Sequence, residues 1–138
     1  MEQPMSEISY GLSKPRIQSP PLKLPSAGPL VNQLADELGV PLLPWQQHVL
    51  DDALKVNPDG TWARSQVGVL VARQNGKTHL ARMLILAHLI KWPSKNILIM
   101  SSNRSMALDT FRQVAYLLES NDHLKGFVKQ IRYANGTE

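Results

Sequence analysis

The predicted fold depends most on one segment, Val71-Ala72-Arg73-Gln74-Asn75-Gly76-Lys77-Thr78. A valine-rich run at residues 66–72 leads into it and predicts a buried strand. A long apolar pattern at residues 77–92 follows and predicts an interior helix. A strand, a tight turn containing Gly-Lys-Thr and a helix together form a cradle for the phosphates of a nucleotide. The segment therefore predicts a phosphate-binding loop.

Each residue type at the end of this segment has a physical reason to contact phosphate. Gly76 lets the backbone approach an anion, and the first N–H groups of the helix point at the phosphate oxygens. Lys77 is expected to reach the β- and γ-phosphates, and the Thr78 hydroxyl to ligate Mg²⁺. The complete pattern has another glycine five residues before Gly76, where this chain has Val71. The alternative is an ordinary surface turn before a helix.

Further apolar patterns along the chain predict the rest of the fold. Helices are expected at residues 30–38, 44–54 and 105–120, and strands at residues 96–101 and 127–133. Strands that alternate with helices and are apolar throughout are typical of a parallel sheet covered on both faces. The predicted fold class is α/β, a P-loop NTPase-type parallel sheet with helices on both faces, incomplete at the C-terminus.

The chain divides into two parts by composition. Residues 1–29 hold six of the ten prolines and few large apolar side chains, which predicts a proline-rich extended arm. The alternatives are an arm that wraps a neighbouring molecule and a disordered leader. Residues 30–138 carry the helix and strand patterns and are predicted to be the N-terminal portion of an ATPase domain.

Bulk composition excludes several classes of protein. The chain has no cysteine, so disulfides and thiolate metal sites are excluded, and a reducing cytoplasm fits. The N-terminus lacks a signal-peptide pattern, and the most apolar segment, residues 83–90, is too short to cross a bilayer. A net charge of +4 is compatible with nucleic acid without being evidence for it. The four histidines show no metal-ligand spacing.

The loop Arg73-Gln74-Asn75-Gly76-Lys77-Thr78 resembles that of the large terminase subunit of tailed bacteriophages, the motor that packages DNA into capsids. In that family the loop lacks the first glycine and carries Arg-Gln or Arg-Lys before Gly-Lys-Thr. Upstream, Leu43-Pro44-Trp45-Gln46 is similar to the family's aromatic-Gln element, which contacts adenine. Downstream, residues 97–103 and the helix after them are similar to the family's second strand and helix. The resemblance covers residues 30–138.

The resemblance implies ATP and Mg²⁺ as cofactors, with Lys77 and Arg73 as catalytic residues and Thr78 as the magnesium ligand. Arg73 is expected to act on the γ-phosphate as an arginine finger does, or else to form a plain salt bridge. The Gln46 amide matches the hydrogen-bonding edges of adenine, and Trp45 stacks on the base or anchors its own helix. The implied nucleotide-binding residues are Trp45, Gln46, Arg73, Gln74, Asn75, Gly76, Lys77 and Thr78.

The resemblance also implies partners and a location. These are double-stranded DNA, a small terminase subunit, the portal and a homo-oligomeric ring of the full-length protein. The location is the cytoplasm of the bacterial host, with no membrane association.

Two parts of such a motor have no counterpart in the pattern of this chain. An acidic pair that holds Mg²⁺ and activates water is expected after a later strand, but Asp51-Asp52 comes before the loop and lies on a predicted helix. The family's nuclease carboxylates also have no match. We therefore expect the N-terminal piece of a longer protein, with weak nucleotide binding and little hydrolysis. The alternatives are a helicase-type nucleic-acid ATPase and a non-catalytic interaction module with a vestigial loop.

Overall fold

A computed structural model describes residues 11–92 and 96–133. The chain forms two compact units. The first comprises the described residues up to Asp36 together with Val40–Val69, and the second comprises Glu37–Gly39 and the described residues from Leu70 onward. The described residues form five helices: α1 (Gly28–Glu37), α2 (Pro44–Ala53), α3 (Lys77–Ile90), α4 (Arg104–Ser120) and α5 (Asp122–Lys125).

The predicted α/β fold with a parallel sheet is wrong for the described residues. Residues 66–72, 96–101 and 127–133 form no strand there, and the β-type pairing consists of two isolated antiparallel bridges, Ser26 with Lys55 and Val56 with Trp62. The apolar character of a run indicates that it favours burial, but a strand also needs a neighbouring chain to accept and donate its backbone hydrogen bonds. The three runs find no such neighbour among the described residues.

The exposure of apolar side chains in these runs is the consequence of the missing strand pairing. Leu70 is fully exposed at 101%, and Leu98 and Met100 are each 81% exposed. Ile97 and Ile99 of the second run and residues 127–132 of the third line an open groove of about 1010 Å³ in the second unit, beside the apolar faces of α3 and α4. Side chains expected inside a covered sheet therefore lie on the surface or along this groove.

The first unit is built on close packing at the start of α1. A Cβ placed on the buried Gly28 would lie 2.8 Å from the backbone nitrogen of Asp51 and 2.8 Å from the carbonyl carbon of Leu50. Leu50 and Val31 are fully buried beside this contact. The helix backbones therefore meet at a point where only glycine fits.

The start of α2 and the end of α1 follow the sequence signals. Pro44 is the first residue of α2, where its missing N–H removes no hydrogen bond, as predicted. Gly39 takes the left-handed φ of +70°, just after α1 ends. The amide of Val40 then donates to the Ala35 carbonyl at 3.0 Å, which satisfies one of the last carbonyls of the helix.

The described part of the predicted arm, residues 11–29, is bonded to the rest of the first unit, and its last two residues begin α1. Arg64 joins the two, because its Nη2 donates to the Pro20 carbonyl at 3.1 Å and to Asp52 Oδ1 at 3.0 Å. The amide of Val56 donates to the Pro25 carbonyl at 2.9 Å. Residues 1–10, the first part of the predicted arm, lie outside the described residues.

The second unit is centred on α3 and α4, whose buried side chains are Leu80, Met83, Leu86, Ala87, Val114, Ala115 and Leu118. Both helices were predicted, and their observed bounds differ from the predicted ones by no more than two residues. Pro93, the predicted helix stop, lies outside the described residues. Within residues 11–92 and 96–133, every helix is too short or too polar for a transmembrane span.

Asn103 provides a local test of how α4 begins. Its Oδ1 accepts a hydrogen bond from the Met106 amide at 2.9 Å, one of the amides that the helix itself leaves without an acceptor. We expect Asn103→Ala to lower the free energy of unfolding by about 1 kcal/mol, measured by urea denaturation. Asn103→Asp keeps the acceptor and is the control. Equal destabilisation by both variants would show that the cap does not stabilise α4.

Candidate functional site

The predicted phosphate loop is a tight turn that leads directly into α3. Gly76 is the N-cap of the helix and has φ +88° and ψ +19°, a left-handed conformation that glycine adopts without steric cost. Gln74 has φ +60°, and it is the one non-glycine residue with positive φ among the described residues. For a side chain with a Cβ this conformation is strained. The loop is therefore held in an uncommon shape by its surroundings.

Two side chains near the end of the loop hold its backbone. The Lys77 Nζ donates to the Val71 carbonyl at 3.0 Å. The Asn75 Nδ2 donates to the carbonyls of Ala72 at 3.2 Å and Arg73 at 3.0 Å. Successive carbonyl groups at the start of the loop are thus bound by side chains from its end.

The N-terminal end of α3, which adjoins the loop, favours the binding of an anion. The first turn of the helix contains no acidic residue, so no carboxylate offsets the positive end of the helix dipole. Arg73, Lys77 and Thr78 are all exposed there, which places a guanidinium, an ammonium and a hydroxyl at one end of the helix. The two cationic groups match the oxygens of a phosphate chain, and the hydroxyl oxygen is a type of ligand that Mg²⁺ accepts.

Trp45 and Gln46, the predicted adenine contacts, belong to α2 in the first unit, whereas the loop belongs to the second. Gln46 is 1% exposed, and its Oε1 accepts a hydrogen bond from the Leu43 amide at 2.7 Å. This bond satisfies a backbone donor at the start of α2, as the third helical residue of a capping box does. Trp45 is half-buried. Their contact with adenine stays a prediction.

The sequence analysis missed this role of Gln46, although its signal was present. A Gln three residues after the position that precedes a helix is the second half of a capping box, and Pro44 marks the start of the helix. An adenine base that used the Gln46 carbonyl oxygen would have to share it with the Leu43 amide.

Charged residues are distributed unequally along the chain, which the net charge of +4 does not show. Residues 70–138, which include the loop, carry ten Lys and Arg against four Asp and Glu. Residues 1–69 carry five Lys and Arg against seven Asp and Glu. The basic excess therefore belongs to the half of the chain with the candidate site, as expected where the ligand is a polyanion.

Other titratable groups form structural contacts. Asp51 and Asp52 lie on α2, as predicted, and pair with Lys55 at 3.2 Å and Arg64 at 3.0 Å. Burial lowers the pKa of His88, whose ring packs against Trp92 with a centroid distance of 5.3 Å. Among the described residues, no group of three or more His, Asp or Glu is placed to hold a metal ion.

In comparisons with known proteins, the chain matches no protein-family model, no curated protein and no solved structure.

Proposed function

We propose that the chain binds Mg²⁺-ATP through residues 73–78 and is the ATP-binding part of a viral DNA-packaging motor. In this proposal, ATP hydrolysis by the motor drives the translocation of DNA into a capsid. The observation that carries the proposal is the exposed Lys77 ammonium beside the left-handed turn at Gly76, at the start of a helix without acidic residues. The proposal depends on this loop and the resemblance of its sequence, because the strand predicted before the loop does not form among the described residues.

Each loop residue has a defined task in the proposal. The β- and γ-phosphates replace the Val71 carbonyl as the partner of Lys77, because a charged acceptor binds an ammonium more strongly than a neutral one does. Arg73 balances the charge that develops on the γ-phosphate during hydrolysis. The Thr78 hydroxyl holds Mg²⁺, which neutralises phosphate charge when bound.

Double-stranded DNA is the proposed polymer substrate of the motor. The basic excess of residues 70–138 supports it, because contacts between cationic side chains and phosphates dominate the affinity of proteins for DNA. A ring of subunits, a small terminase subunit and the portal, all in the host cytoplasm, belong to the same proposal. They are supported by the resemblance of the loop sequence.

Calorimetric titration with ATP or ADP, in the presence and absence of Mg²⁺, tests the proposal. We expect Thr78→Ala to remove most of the gain in affinity that Mg²⁺ provides, on the order of tenfold, because the variant loses a hydroxyl ligand of the ion. Binding without Mg²⁺ should change little. Thr78→Ser keeps the hydroxyl and is the matched control. A parent protein that binds neither nucleotide would refute the proposed function.

A further inference from the structure

The carbonyl groups of Val71, Ala72 and Arg73 are the starting observation. Lys77 holds the first, and the Asn75 carboxamide holds the other two, at 3.2 and 3.0 Å. A carboxamide nitrogen has two hydrogens, so Asn75 can donate one to each of its two acceptors. Asn75 therefore satisfies two successive backbone carbonyls with a single exposed side chain.

The direction of these carbonyl groups matters for an anion. A carbonyl oxygen that faces a phosphate repels it, whereas a backbone N–H that faces a phosphate attracts it. Carbonyls that bind Asn75 and Lys77 are kept from turning freely toward a ligand. The loop needs this restraint, because Gln74 is held in a left-handed conformation that costs free energy for a residue with a Cβ.

Ligand binding removes one of these three hydrogen bonds. In the proposed function, Lys77 leaves the Val71 carbonyl to bind phosphate, and Asn75 then holds the loop without it. We infer that Asn75 is a positioning residue whose carboxamide keeps the loop in its phosphate-binding shape, and that it contributes more to the nucleotide-bound state than to the free state. The inference rests on the proposed function and adds a residue role that the Gly-Lys-Thr motif does not contain.

The test measures Mg²⁺-ADP affinity and thermal stability for Asn75→Ala. We expect the affinity to fall on the order of tenfold, with little change in the melting temperature, because two hydrogen bonds are lost at an exposed loop. Asn121→Ala is the matched control, since its Nδ2 donates to the Leu117 carbonyl at 3.0 Å in the same unit. This control should leave the affinity unchanged.

A second variant, Gln74→Gly, separates a positioning role of Asn75 from direct contact between Asn75 and the ligand. Gln74→Gly removes the strain of the left-handed conformation, so the loop needs less support from Asn75. We expect Asn75→Ala to weaken binding by less than about threefold in the Gln74→Gly protein, because coupled residues give non-additive effects. An undiminished loss there would assign Asn75 to the ligand itself and overturn the positioning role.

The outcomes distinguish the inference from the proposed function. If Lys77→Ala weakens binding and Asn75→Ala does not, the inference is wrong and the proposed function stands. If Asn75→Ala and Asn121→Ala weaken binding equally, the effect of Asn75 is general destabilisation and the inference is again wrong. If the parent protein and Lys77→Ala both fail to bind Mg²⁺-ADP, the proposed function fails and the inference fails with it.

Discussion

Replacing Lys77 with alanine is expected to weaken Mg²⁺-ADP binding by roughly 10- to 100-fold, the loss of one charge-assisted hydrogen bond to phosphate. The effect on folding should be small, because Lys77 is exposed and its Nζ bonds to a single carbonyl of the same loop, that of Val71. Calorimetric titration of both proteins at the same ionic strength gives the affinities, and thermal unfolding checks that the variant remains folded.

The control for this experiment lies at the other end of the same helix. Lys91→Ala removes the same charge from an exposed residue that directly follows α3, at the opposite end from the loop. A long-range effect of net charge would weaken binding in both variants and would fade with added salt, because exposed charges are screened over about 10 Å at 0.1 M salt. Equal affinities of Lys77→Ala and Lys91→Ala would show that the loop does not hold the phosphates.

Replacing Gly28 with alanine is expected to lower the free energy of unfolding of the first unit by about 2–3 kcal/mol. The added Cβ would lie 2.8 Å from the Asp51 nitrogen and 2.9 Å from the Asp51 Cα. These are backbone atoms of a helix, so the clash cannot be relieved by a side-chain rotation, and α1 must shift away from its buried position. Urea denaturation followed by circular dichroism measures the loss.

Gly68 is the matched control for Gly28. A Cβ at Gly68 would meet no heavy atom within 4 Å, and its φ lies outside the left-handed range. Gly68→Ala should therefore change the free energy of unfolding by about 0.5 kcal/mol or less. If Gly28→Ala proved no more destabilising than Gly68→Ala, the tight contact between the start of α1 and α2 would not exist in solution.

The helices α1 to α4 were predictable from the sequence because their signals are local, whereas the four-residue helix α5 was not predicted. The apolar spacing of α3 and α4 requires only residues three and four positions apart, and Pro44 and Gly39 mark helix ends through their own backbone preferences. The loop residues Arg73 to Thr78 are consecutive, so the chain itself brings them to one end of α3. The loop part of the predicted site, residues 73–78, therefore followed from these short-range rules.

The predicted sheet failed because strand pairing is not local. Residues 66–72 and 96–101 have the composition of buried strands, but a backbone ladder requires a second chain segment in register. The composition of an apolar run does not indicate which other segment of the chain would pair with it. The described structure supplies none, and Leu70 and Leu98 remain exposed.

The sequence by itself determined the helices α1 to α4, the turn at Gly76 and the chemistry of the side chains beside it, since each depends on neighbours a few residues apart. Only the tertiary structure decided that Gln46 is buried. It also decided that Gly28 meets the backbone of α2 and that the apolar runs find no strand partner within residues 11–92 and 96–133. These features depend on which distant segments come into contact, and burial and pairing are properties of the contact and not of either segment alone.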